Sequence, residues 1–340
     1  MASHALSGHP PWRQLLVAAV VLPVVVVAAV LAFAWPVARI APRDLPVGIV
    51  GTSPASQQVV EGLDRAQRGG FDFRLYPDDA AARSAIADRD VYGAFVATGG
   101  SFTVLEASAA GPAVAQLLTA VGQKLAVQVG AHAAASGKGH GAAPLKTVDV
   151  VATSSADPRG LVLSSALLPL TICSILLAVA VALVIGFRPA WRQALALAVV
   201  TGVAGLGAYL IAQPFLGALP HQHVATWGAL VLTLLAISTT TAGLIALAGV
   251  GGLALCAALM VFVGNPFSGV TSAPELLPDA VHHIGQWLPP GAGANLLRST
   301  AYFNGNGAAG HLTILVLWTA FGLGAIVIGH HTSIGFARAR

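Results

Sequence analysis

The chain has 340 residues, of which 56% are hydrophobic and 9% charged, with a formal net charge of +4. Soluble globular chains carry about 25% charged residues, so this one has too little polar surface to stay in solution and reads as an integral membrane protein. Residues 39–159 hold 11 basic and 11 acidic side chains and 193–274 hold none; that balance, without any Lys/Arg-rich run, excludes nucleic acid as a partner.

Residues 1–14 form a short N-terminus before the first apolar run, "LLVAAVVLPVVVVAAVLAFAWPV". A helical span needs roughly 20 apolar residues, and 15–38 is predicted to be transmembrane helix 1. The run exceeds the roughly 7–15 apolar residues of a cleaved signal peptide, which favours a retained anchor.

Residues 39–159 read as a small α/β domain. "LPVGIVG" (45–51) and "FDFRLYP" (71–77) are predicted strands, the second by its period-two alternation. "SPASQQVVEGLDRAQRG" (53–69) places Val59, Leu63 and Ala66 on one helical face. "DDAAARSAIADRD" (78–90) has acids in its first turn, so Asp78 and Asp79 read as a helix cap and not as an acid/base pair. "VYGAFVAT" and "SFTVLEAS" are two strands joined by a Gly-Gly turn. A long helix follows from 112, then the loop "GKGHGAAP" and a last strand, "TVDVVA".

The domain has no G-x-S-x-G and no phosphate-cradling glycine loop. His132 and His140 lie eight apart with no carboxylate or cysteine nearby, and read as exposed histidines rather than metal ligands. Cys173 and Cys256 fall inside apolar runs and read as small hydrophobes. No catalytic residue, cofactor or metal site is expected.

Residues 160–340 are predicted to be a five-helix transmembrane domain, with spans at 161–187, 193–216, 225–247, 251–263 and 312–329. The fold class is therefore an α-helical polytopic membrane protein of six transmembrane helices, with an extracytoplasmic α/β domain between helices 1 and 2. Orientation follows from the positive-inside rule. With both termini cytoplasmic, Arg13, Arg188, Arg192, Arg338 and Arg340 fall inside and Arg298 alone falls in an outer short loop. The spans lack Asp, Glu, Lys and Arg, which argues against proton or sodium antiport, because a coupling ion must bind something. Their polar residues are mild. Ser238, Thr239, Thr240 and Thr241 serve either helix packing or a path for an amphipathic substrate; Gln213, beside Pro214 at an expected kink, and Asn265, after span five, are the other candidate pathway polar residues. "AGVGG" (248–252) is a plausible tight turn between spans four and five.

Between the last two spans, residues about 274–305 form an elaborate connector. Leu277, Val281, Ile284, Trp287 and Leu288 recur at three- and four-residue steps, with Asp279, His282, His283 and Gln286 between them. That predicts a short amphipathic helix, ended by Pro289 and Pro290. A second short helix is predicted over 292–303, carrying Arg298. Neither can span, so the pair reads as a re-entrant or interfacial hairpin.

One anchoring span, an external α/β domain and five further spans resemble one branch of ABC-2-type exporter membrane subunits. The phage-infection-protein group of bacterial membrane proteins shares the layout. "ELLPDAVHHIGQWLPPGAGANLLRSTAYFNG" is similar to the connector before the last span in both groups, and "LPVGIVG…FRLYPDDAAARSAIADRDVYGAFVAT" to the opening of their external domain. The resemblance implies a multi-pass protein of the bacterial plasma membrane, working as a homodimer or heterodimer in membrane lipid. It implies export of a hydrophobic or amphipathic compound, driven by a separate cytoplasmic ABC ATPase subunit, since this chain has no Walker A motif. "RPAWR", with Arg188, Pro189, Trp191 and Arg192, is then either a minimal ATPase-coupling loop or a simple topology anchor. Asp279, Trp287, Pro289, Pro290 and Arg298 become candidates for an outer gate. The alternative is a non-transporting envelope receptor or secretion-accessory protein of the phage-infection-protein type.

Overall fold

A computed structural model of the chain describes residues 12–51, 60–62, 68–98, 101–135, 145–185 and 189–338. Most of the helix expected over 53–69, the Gly-Gly turn at 99–100, the loop holding His140, and Arg188 lie outside the described residues. Helix α1 (Trp12–Ala38) leads into the domain: β1 (Leu45–Val50), β2 (Phe71–Tyr76), α2 (Asp79–Ala87), β3 (Gly93–Thr98), β4 (Ser101–Glu106), α3 (Pro112–Ala135) and β5 (Leu145–Asp149). The strands form one five-stranded sheet in the order β2-β1-β3-β4-β5. β1 runs parallel to β2 and β3, β3 and β4 are antiparallel, and β4 and β5 are parallel.

Strand alternation decides what covers each face of the sheet. Leu45, Val47, Ile49, Phe95, Phe102 and Val104 point to α3, against Val114, Leu118 and Leu125. Val50, Ala94, Val96 and Leu105 point the other way, against Ala82, Ala85 and Ile86 of α2. Each of these cores continues into the membrane half of the chain: the first takes in Ala273 and Leu276, the second Ala218, Leu219, Ala301, Tyr302 and Phe303. Domain and helical bundle thus share hydrophobic cores.

The bundle consists of α4 (Leu161–Ile185), α5 (Ala190–Leu210), α6 (His223–Ala257), α7 (Asp279–Trp287), α8 (Pro289–Tyr302) and α9 (Ala308–Arg338). Five helices, counting α1, are long and apolar enough to cross a membrane among the described residues. α5 ends in a π-helical turn, Ile211–Phe215, which contains Pro214. Proline deprives a helix of a backbone donor, and a wider turn is one way to absorb the kink.

The stretch His223–Gly264 is the longest of the five, and it is not one straight rod. Gly249 has φ 58 and ψ −133, a conformation essentially reserved for glycine. Beyond it the chain doubles back. The Thr241 hydroxyl and the Cys256 sulfur are 3.2 Å apart, whereas 15 residues of straight helix would separate them by about 22 Å. Gly252 packs so tightly on the Leu244 carbonyl that any Cβ there would overlap it. The two apolar runs expected at 225–247 and 251–263 are therefore the two limbs of a helical hairpin.

Candidate functional site

The domain rests on one end of the bundle through a polar seam, and its organising residue is Arg89. α2 starts at Asp78, whose carboxylate accepts from the Ala81 N–H, and it ends in a Schellman motif. The Arg89 N–H donates to the Ile86 carbonyl and the Asp90 N–H to the Ala85 carbonyl. The left-handed position of that motif usually belongs to glycine; here Arg89 holds it at φ 65. An L residue there costs about 1–2 kcal/mol. The strain turns the Arg89 side chain out of α2 and onto α8.

The guanidinium of Arg89 donates to the Asn295 backbone carbonyl at 3.2 Å, to Asn295 Oδ1 at 3.0 Å, and to the Ser299 hydroxyl. It also stacks over the Phe303 ring, 5.3 Å from its centre. The network runs on inward: Asn295 Nδ2 donates to Gln286 Oε1 at 2.7 Å, and Gln286 Nε2 donates to the Ser268 carbonyl at 2.9 Å. α2, α8, α7 and the segment before α7 are thereby joined in one chain of hydrogen bonds. Asn306 adds a second tie, donating to the Ala87 carbonyl and to Asp88.

A second line of contacts runs through Glu275. Its carboxylate accepts from the Tyr92 hydroxyl at 2.6 Å, and its backbone carbonyl accepts from the Arg43 N–H. Burial, and the Glu275 carboxylate next, hold Tyr92 well above the usual phenol range. Arg298, one turn beyond Asn295 on α8, is only 4% exposed and donates to the Val270 carbonyl at 3.1 Å. Burial, and the charge of Arg89 next, push it down to about 10. The ion pairs found among the described residues, Arg74–Asp72 and Arg83–Asp79, lie elsewhere. Arg298 is thus a buried cation, and Arg89 a half-buried one, held by carbonyls, an amide and a hydroxyl.

Between these contacts lies a polar cavity of about 210 Å³, lined by Arg89, Tyr92, Glu275, His282, Gln286 and His311 among others. The Nδ1 atoms of His282 and His311 are buried without a protein partner. Burial lowers His282 below its usual range, as does the neighbouring His283.

The residues singled out from sequence fall in several places. Asp279 is exposed at the start of α7, and Trp287 is 65% exposed at its end. Pro289 and Pro290 are buried, and they begin α8 where a terminating break was expected. Proline at the first helical positions lacks only a donor that would go unpaired in any case. Of the proposed outer-gate set, Arg298 alone reaches into the seam. α7 also buries a different face from the expected one. Leu277, Val281, Gly285 and Leu288 are buried, while Ile284 and Trp287 point outward. Gly285 lies flat on the Phe267 carbonyl, where no side chain fits, and that contact sets the rotation of the helix.

Ser238, Thr239, Thr240 and Thr241 are fully buried. Thr239 and Thr241 bond back to their own helix, Ser238 donates to the Ser174 carbonyl of α4, and Thr240 to the Trp318 carbonyl of α9. Gln213 accepts from the Tyr209 hydroxyl within α5 and its π-turn. Asn265 lines a second cavity, of about 450 Å³, between α1, α4 and the segment before α7. Pro189, Trp191 and Arg192 start α5, with the Arg192 guanidinium over the Trp191 ring. They lie at the far end of the bundle from the seam, since α4 spans 25 residues, about 37 Å, between the two. Arg89, Tyr92, Glu275, Asn295 and His311 carry the seam and were not singled out. Among the described residues no His, Cys, Asp and Glu come together as a metal site.

No family model matches the chain, and neither a curated protein nor a solved structure does.

Proposed function

We propose that the chain is the membrane-spanning permease subunit of an exporter, driven by ATP hydrolysed on a separate cytoplasmic subunit. In this reading α6 and the limb beyond Gly249 count as two spans, giving six with α1. The termini and the "RPAWR" loop face the cytoplasm, as the positive-inside bias favours, and the α/β domain faces outward. The observation that carries the reading is the α7–α8 hairpin. Two helices too short to span sit at one end of a bundle whose spans lack charged side chains, and a half-buried polar clamp from the α/β domain holds them. Such an element closes an exit, and the uncharged interior suits a hydrophobic or amphipathic cargo.

The test is a pull-down of the tagged chain in mild detergent, with ATPase activity assayed on the eluate. A stoichiometric ATP-hydrolysing partner is expected. A clean homo-oligomer without ATPase activity would overturn the reading in favour of an envelope receptor.

A further inference from the structure

The cavity that Asn265 lines has two unlike walls. α1 supplies Phe33 and Val37, the residues just after it Ile40, and α4 supplies Leu168 and Pro169 with Ser164 and Ser165 beside them. The opposite wall is the turn-rich chain from Asn265 to Ser272, which presents the exposed Thr271 and its own peptide groups, with the buried Ser268 and Ser272 hydroxyls bonded to backbone carbonyls behind them. Non-helical backbone among membrane helices is tolerated only against protein or a solvated cavity. Its volume, about 450 Å³, falls within the roughly 300–1,000 Å³ of small-molecule sites.

The cavity has a side opening. Pro36 is the one buried side chain among those described on α1. Phe33, Val37 and Ile40 are exposed on one margin and Ser165 on the other. These exposed margins lie on α1, the residues just after it and α4, away from the seam residues Arg89 and Asn295.

Charge decides the class of occupant. Among the described residues, no Asp, Glu, Lys or Arg lines the cavity. Behind its polar wall stands Arg298, which bonds the Val270 carbonyl from the seam side. A cationic head would face that guanidinium with no carboxylate to receive it. An anionic head would lose its hydration and gain no direct ion pair with Arg298, because the 268–272 backbone intervenes, while Arg43 near the lining residue Leu277 is already engaged by the carbonyls of Arg39, Ala41 and Leu276. A head with hydroxyl, ester or amide groups loses least, since the wall's hydroxyls and peptide groups replace water.

We propose that this cavity is the lateral entry site for an uncharged amphiphile, an apolar chain carrying a hydrogen-bonding but non-ionic head. The inference rests on the permease reading and names its substrate class. It is tested with the full chain in phosphatidylcholine nanodiscs and a photoreactive monoacylglycerol, with labelled positions mapped by mass spectrometry. Saturable labelling is expected within 33–40, 164–169 and 265–277. Ser165→Phe, which fills the opening, should cut it by at least about fivefold, the effect of roughly a one-decade loss in affinity. Val199→Phe, on the exposed face of α5, should leave it unchanged. Both variants are checked for fold by size exclusion and thermal melting, and Leu168→Phe replaces Ser165→Phe if the latter is misfolded. Unsaturable labelling spread over the exposed faces of α5 and α9 would overturn the site. Equal labelling by a photoreactive fatty acid or alkylamine would overturn the uncharged head. Labelling needs no ATPase, so a failed pull-down and a failed entry site remain distinct results.

Discussion

Arg89→Ala removes the clamp and nothing else large. The variant loses the donors to the Asn295 carbonyl, to Asn295 Oδ1 and to Ser299. Hydrogen bonds from a charged group contribute about 1.5–3 kcal/mol each, but the guanidinium no longer has to be buried, which offsets several kcal/mol. The partners left behind are neutral, so truncation costs about 1–3 kcal/mol, the penalty of leaving them unpaired. If α8 exchanges its amides by local opening from the domain, that range speeds exchange about 5- to 150-fold. Arg89→Gly relieves the left-handed strain of α2 in the docked and undocked states alike, so it serves as a second variant that lacks the clamp. Hydrogen–deuterium exchange on the full chain in detergent should find residues 289–303 slowest in wild type and similarly faster in Arg89→Ala and Arg89→Gly. If Arg89→Ala is folded and exchanges there within about threefold of wild type, Arg89 is not what holds the hairpin.

Three other outcomes follow from the same geometry. The pKa of His282 is lowered in the docked state, so below about pH 6.5 the undocked state binds more protons and docking weakens as pH falls; the protection factors of α7 amides, corrected for the base-catalysed intrinsic rate at each pH, should fall from pH 7 to pH 5, and His282→Gln should flatten that dependence. Thr241→Cys should form a disulfide with Cys256 under mild oxidation, because the native atoms are 3.2 Å apart; a free-thiol count of two for that pair would mean the limbs beyond Gly249 do not fold back. Gln193 is fully buried with neither side-chain polar atom partnered, so Gln193→Leu should stabilise the bundle by about 1–3 kcal/mol, read as a higher melting temperature; a lower one would show that the amide has a partner in the membrane.

The elements were legible wherever one periodicity dominated. Strand alternation at 71–77 and 45–51, the acids opening α2 and the uncharged runs of the bundle each carry a local signal. The hairpin was legible because Pro289 and Pro290 cannot continue a helix. The seam was not legible, because it is made of long-range pairs. Arg89 and Asn295 are 206 residues apart, and neither belongs to a motif. The end of α2 gave no cue either: "ADRD" has no glycine for the left-handed position that Arg89 takes. His311 was passed over because it sits at the mouth of an otherwise ordinary apolar run. The rotation of α7 was misjudged for a related reason. Apolar spacing fixed on Ile284 and Trp287, but the backbone contact of Gly285 with Phe267 decides which face is buried, and outside a bilayer-facing helix the exposed side can be apolar too.

The composition of the seam bears on what it does. A permanent dock would be built like the two shared cores beside it, from side chains such as Ala273, Leu276, Tyr302 and Phe303, which lose nothing by burial. Instead one buried arginine, Arg298, and one half-buried arginine, Arg89, rest on neutral partners, Arg89 on a strained backbone. Desolvation costs several kcal/mol per ion, the left-handed residue about 1–2 more, and the charge-assisted hydrogen bonds return about 1.5–3 each. These terms are of similar size and opposite sign, so the polar seam fixes the hairpin's position while adding little net stability to it. A contact that is specific in geometry and nearly neutral in free energy can be opened by a small input. That suits an exit that must close accurately and release often, and it suits a fixed receptor less well.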